Sequence, residues 1–115
     1  MSNRKNLVDF SSLSDILYGE EKYIQEFAEA AVISFVEFSE NYQKFLVARD
    51  ETNFRKAGHK IKPVAQMLGL NQILEEYEHA KSLLWDEAPD TELQTSADKI
   101  QRICTDVISE LKEKQ

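Results

Sequence analysis

The chain has 115 residues, 42% of them apolar, enough for one domain with one core. Three Gly, two Pro and one Cys argue against a turn-rich β protein, a disulfide framework and a cysteine zinc site. No apolar run nears the ~18 residues of a membrane span, and fourteen basic residues against 21 acidic ones, net −7, disfavour nucleic acid as a partner.

The N-terminal MSNRKNLVDF has no apolar stretch of secretory-signal length, so a cytoplasmic protein is expected. Residues 1–10 read as a tail and residues 11–113 as a single helical domain. Residues 11–18 form a short helix behind a serine cap, stopped near Gly19. From Glu20 to about Ala48 a long helix is expected, with a bend. Its marks are Ile24, Phe27, Ala31, Ser34, Phe38, Tyr42, Phe45 and Leu46, spaced mostly by three or four. Phe27, Phe35, Phe38, Tyr42 and Phe45 exceed what one helix stripe can bury. Together with Val32 and Val36 they predict a wide core face or an apolar docking patch. Glu20, Glu21, Glu26, Glu29, Glu37 and Glu40 make its solvated side.

Asp50 caps the next helix, with Glu51 in its first turn and Gly69 closing it. Phe54, Ala57, Ile61, Val64, Ala65 and Leu68 form its apolar face. Asn71 is expected to cap a fourth helix carrying Ile73, Leu74, Tyr77, Ala80 and Leu84, which ends at Trp85–Pro89. Thr91 and Gln94 offer a capping box for the last helix, whose stripe is Leu93, Ala97, Ile100, Cys104, Val107, Ile108 and Leu111. Cys104 on that stripe reads as a small buried hydrophobe. Long amphipathic helices joined by short connections predict an all-α, antiparallel up-down four-helix bundle with a short extra N-terminal helix.

The third helix interrupts the acidic chain. Residues 49–68 hold Arg49, Arg55, Lys56, Lys60 and Lys62 against Asp50 and Glu51, net +3, which leaves −10 for the remainder. On a helical wheel His59 lies roughly 170° from the centre of the apolar arc. Arg55, Lys62 and Gln66 fall within about 60° of it, in one polar stripe. An exposed neutral imidazole is a nucleophile near neutral pH without a helper base. Adjacent cations suit an incoming phosphoryl group, whose charge spreads over three oxygens. Pro63 has no N–H for the His59 carbonyl four residues back, so a bend next to His59 is expected. Taken alone, an exposed histidine among lysines is also what any solvated helix face looks like. His79, on the following helix, falls at about the height of His59, but two histidines with no i, i+3 or i+4 ligand make poor metal spacing. It reads as a surface histidine, and no metal or other cofactor is expected.

The stretch Gly58-His59-Lys60-Ile61-Lys62-Pro63-Val64-Ala65-Gln66-Met67-Leu68-Gly69-Leu70 resembles the active-site helix of histidine-containing phosphotransfer (HPt) domains. That family shows a His, an aliphatic residue two on, a Lys three on and a Gly ten on. His59, Ile61, Lys62 and Gly69 stand at those places. The resemblance extends over roughly residues 13–111. It implies a phosphorelay intermediate in which His59 accepts a phosphoryl group from a receiver-domain aspartyl phosphate and Lys62 stabilises it. Arg55, Gln66 and Lys81 are possible supports. Pro63 stands where the family commonly has Gly, Val64 and Ala65 where small residues often follow, and Lys81 where it often has Gln.

The partners implied are receiver domains of response regulators or of hybrid histidine kinases, with no nucleic acid, no membrane and a monomeric carrier. No Gly-rich phosphate loop is present, and a relay protein needs none, so autokinase activity is not expected. Two other readings are a helical adaptor that binds a partner without phosphorylation, and the dimerising hairpin of a sensor kinase. The hairpin places an acid just after its His and a Pro five on; here Lys60 follows and the Pro comes at four.

Overall fold

A computed structural model of the chain describes residues 7–114. Among these there are five helices and no strand: α1 (Phe10–Ile16), α2 (Glu21–Val47), α3 (Glu51–Met67), α4 (Asn71–Trp85) and α5 (Asp90–Lys112). None is long and apolar enough to cross a membrane.

The helix ends follow local chemistry, in places not the chemistry expected. Asp50 caps α3 as predicted, accepting from the Asn53 backbone N–H at 3.2 Å and from Asn53 Nδ2 at 2.7 Å. These bonds hold its carboxyl below the ordinary aspartate range. Gly69, at φ +67°, lets the chain reverse after α3, and the Leu70 N–H returns to the Ala65 carbonyl at 2.9 Å.

Three caps differ from expectation. Asp9, not a serine, caps α1, because its carboxylate reaches the Ser12 N–H at 3.0 Å while its own N–H is tied to the Leu68 carbonyl. Leu70, not Asn71, holds the cap position of α4: Leu70 is pinned in the core, so the helix begins one residue sooner than the asparagine would need. The Thr91–Gln94 box does not form either. With Pro89 at the cap position, α5 starts at Asp90 and Thr91 is already inside it. The Thr95 hydroxyl donates to the Thr91 carbonyl and Gln94 donates to Asp98.

α2 is one uninterrupted helix, and α3 continues as α-helix through Pro63. α2 packs on α3 and α5, and α4 packs on the same two, so the four long helices form a ring of neighbours around one core. Phe35, Tyr42, Leu46, Phe54, Ile73, Leu93, Ile100 and Leu111 are fully enclosed there. Cys104 joins them, and burial pushes its thiol up to about 12. A chain of ring contacts crosses three helices: Phe38 to Tyr42 (5.5 Å), Tyr42 to Phe54 (4.9 Å) and Phe54 to Tyr77 (5.2 Å).

Two polar features in the core were not foreseen. The Ser96 hydroxyl donates to the Glu76 carboxylate (2.7 Å) and sits 2.7 Å from the Tyr42 hydroxyl, while Lys99 pairs with Glu76 from the surface side (3.1 Å). This joins α2, α4 and α5, and burial raises the Tyr42 phenol well above its ordinary range. Glu110, 2% exposed, accepts from the Leu7 N–H with both carboxylate oxygens and from the Val8 N–H with one. Of the expected tail, residues 1–6 lie outside the described residues. Leu7 to Asp9 are packed, with Val8 buried and Asp9 bonded to the end of α3.

Candidate functional site

α3 sets the site by where its two sides are spent. Phe54, Ile61, Ala65 and the following Leu68 are buried, with Ala57 and Val64 half-buried beside them. That fixes the rotation of the helix and leaves His59 exposed at its middle, with Arg55, Lys62 and Gln66 exposed around it. The stripe expected from the wheel is therefore present on the surface.

The turn that carries His59 is fastened to α4 through Gly58. This glycine is buried, and a Cβ placed on it would lie 2.0 Å from Tyr77 Cζ. The Tyr77 ring thus rests directly on the α3 backbone one residue before His59. The Tyr77 hydroxyl donates to the Arg55 carbonyl at 3.3 Å, the same carbonyl that accepts the His59 N–H in an i to i−4 helix. Burial raises the Tyr77 phenol above its ordinary value. One turn further along α4, Lys81 holds its ammonium 4.9 Å from the Tyr77 ring centre and 2.9 Å from the Glu78 carboxylate. Its contacts are to Tyr77 and Glu78, and none to His59 is found among the described residues.

The cations of the basic window are not equivalent. Arg49, two residues before α3, is bound to the Ala88 carbonyl and to Asp90 (2.8 Å) at the start of α5. Arg55 pairs through Nε with Glu51 (3.0 Å), and Lys60 with Glu37 of α2 (2.6 Å). Lys56 and Lys62 have no carboxylate within ion-pair distance among the described residues. Both are three residues from His59, on opposite sides. The sequence reading named Lys62 and passed over Lys56.

Around this face, the aromatic surplus of α2 proves to be core. Phe35, Phe38 and Tyr42 are buried, and Phe27 and Phe45 are half-buried against it. Of the large apolar side chains that α2 leaves outside, Ile33 (65% exposed) and Val36 (41%) lie in its middle, and Tyr23 and Val47 toward its ends. Ser34, Glu37, Phe38 and Asn41 of α2 line a shallow cleft with Ala57, Lys60 and Ile61 of α3.

His79 lines a surface cleft with Glu76 and with Glu92, Ser96 and Lys99 of α5. Among the described residues no three His, Cys, Asp or Glu side chains are grouped as a metal ion would require.

Two signals in the sequence could have led further. A glycine in mid-helix costs about 1 kcal/mol relative to alanine, so Gly58 marks a close approach. The counter-charges Glu37 and Glu51 lie at sequence distances that only the fold, or an i, i+4 count, turns into pairs with Lys60 and Arg55.

No family model, curated protein or solved structure matches this chain.

Proposed function

We propose that the protein is a phosphocarrier, an antiparallel up-down four-helix bundle with α1 across one end, that relays a phosphoryl group through His59. The observation that carries the reading is the exposed imidazole at the middle of α3 with Lys62 one turn away, which has no ion pair among the described residues. The likeness of residues 58–70 to the HPt active-site helix, carried also by Ile61 and Gly69, supports the same reading.

In the forward step an unprotonated ring nitrogen of His59 attacks the phosphorus of a receiver's aspartyl phosphate. The N–P bond forms as the P–O bond to the aspartate breaks, and the carboxylate leaves with the electron pair. The other ring nitrogen keeps its proton or yields it to water. The reverse step on a second receiver's aspartate completes the relay, so no nucleotide is consumed by this chain. Lys62 meets the three phosphoryl oxygens, whose charge it offsets throughout.

A receiver presents its aspartate in an acidic pocket. The free ammonium groups of α3 match that charge, and Ile33 and Val36 add an apolar margin on α2. Binding of this kind is transient, of micromolar order, and weakens with salt. The acidic remainder of the chain disfavours nucleic acid and anionic membrane, and the carrier acts as a cytoplasmic monomer. The adaptor reading draws on the same exposed Ile33 and Val36, which any partner could use.

Labelling separates the two readings. A phosphorylated receiver with a labelled phosphoryl group should label the wild-type protein in an acid-labile, base-stable form and leave His59→Gln unlabelled. Equal labelling of His59→Gln removes His59 from the reaction; binding of the receiver without any labelling favours the adaptor.

A further inference from the structure

We propose that Lys56 is a second catalytic cation, which grips the phosphoryl group on His59 from the side opposite Lys62; this rests on the phosphocarrier reading. The argument begins with the sorting of charges along α3. Of the five basic residues in the window 49–68, Arg49, Arg55 and Lys60 are held by Asp90, Glu51 and Glu37. Lys56 and Lys62 are left without an ion pair among the described residues, and both are exposed. They stand at i−3 and i+3 from His59. Residues three apart are neighbours on a helix surface, and these two lie about 60° to either side of His59 on the wheel.

The direction of helical side chains completes the geometry. Side chains lean toward the helix N-terminus, so each covers the turn before its own Cα. The His59 ring therefore leans over the turn of Arg55 and Lys56, and Lys62 leans back over His59. A group carried on the outer ring nitrogen hangs above Lys56 with Lys62 behind it. Arg55, the other residue of that turn, is engaged by Glu51 through Nε. Asp50, six residues back at the cap of α3, makes no ion pair with Lys56, and its carboxylate is occupied with Asn53. The Lys56 ammonium is thus free to swing to the phosphoryl oxygens. Two ammonium groups from opposite sides meet more of the charge spread over three oxygens than one can.

Phosphoramidate, a small donor, tests this without a receiver. Its phosphorus is attacked by the same His59 nitrogen; the N–P bond to the ring forms as the donor's own P–N bond breaks and ammonia leaves. The initial rate of phosphohistidine formation, read by phosphorus NMR, is compared for the wild type, Lys56→Ala, Lys56→Gln, Lys56→Arg, Lys62→Ala, Lys60→Ala and His59→Gln. Circular dichroism checks each fold. Loss of one charge-assisted contact should slow Lys56→Ala and Lys56→Gln about tenfold. Lys56→Arg should recover most of the rate, and Lys60→Ala should stay within about twofold of wild type, since Lys60 is engaged by Glu37. Wild-type rates for both neutral Lys56 variants, with Lys62→Ala slowed, would leave Lys56 a solvated lysine and overturn the inference alone. A wild-type protein that takes no phosphoryl group on His59 from phosphoramidate or from a receiver would remove the phosphocarrier reading and this inference together.

Discussion

Adding a single methyl group at Gly58 distinguishes an interlocked helix pair from two helices that merely touch. In an ordinary helix interior, Gly→Ala stabilises by about 1 kcal/mol, through backbone entropy lost by the unfolded chain. At Gly58 the new Cβ would lie 2.0, 2.3 and 2.5 Å from three atoms of the Tyr77 ring. The ring cannot simply step aside. Its hydroxyl is tied to the Arg55 carbonyl, its inner side packs on Phe54 at 5.2 Å, and Lys81 covers it at 4.9 Å. Relieving the overlap means overpacking, about 1–3 kcal/mol, plus loss of the hydroxyl bond, about 1 kcal/mol. Against the propensity gain, Gly58→Ala should destabilise by about 1–3 kcal/mol.

Urea unfolding followed by helical circular dichroism reads this directly, and the thermal midpoint should fall by roughly 5–15 °C. A Tyr77→Leu background supplies the second arm. With the ring gone, the same substitution should become neutral or stabilising, a coupling of a kind that double-mutant cycles resolve. If Gly58→Ala raises stability in the wild-type background, α3 and α4 do not approach this closely at Gly58, and the His59 turn is not fastened through it.

Three further outcomes are expected. Lys62→Ala should leave the helical spectrum unchanged, because the residue is exposed, and should slow transfer from a phosphorylated receiver by tens-fold, as one lost charge-assisted contact of about 1.5–3 kcal/mol implies; an unchanged rate would remove Lys62 from the site. Glu110→Gln should cost about 2–3 kcal/mol and strip hydrogen-exchange protection from the Leu7 and Val8 amides, since an amide nitrogen would face N–H donors that now meet a carboxylate; retained protection would show that the N-terminal strap is held by other contacts. Asp50 has a folded pKa below its ordinary value of 3.8, so its contribution to stability is complete above 3.8 and is lost as pH falls through the lower folded value. Asp50→Asn should therefore show a shallower acid limb in stability against pH than the wild type, and parallel limbs would refute the cap's titration.

Periodicity carried the helices, because five amphipathic segments each spend one face on a common core. It also turned α3 correctly: four apolar positions buried at 0–3% exposure leave His59 no direction but outward. What periodicity could not reach were contacts that depend on the depth at which helices sit against one another. Gly58 looked like a tolerated small residue until the Tyr77 ring took the place of its missing side chain. Glu76 and Glu110 looked like two more acids in an acidic chain, yet each is buried because it meets donors from segments remote in sequence: Ser96 in one case, the Leu7 and Val8 backbone in the other.

The excess aromatics of α2 left two alternatives open, a wide core face or a docking patch, and the packing of neighbours decides for the core. A helix that packs on two neighbours buries a wider arc than a single stripe, so Phe35 and Phe38 are both core, and in the middle of α2 Ile33 and Val36 remain for a partner. The same logic governs the charges. The +3 of the basic window measures how many cations are present, whereas function depends on how many are uncommitted. Glu37 and Glu51 remove two of them from the vicinity of His59, and the two that remain flank it at one helical turn on either side. Pairing of the other cations to acids leaves the uncommitted ammonium groups of this window, among the described residues, on either side of His59, where the proposed phosphoryl transfer would draw on them.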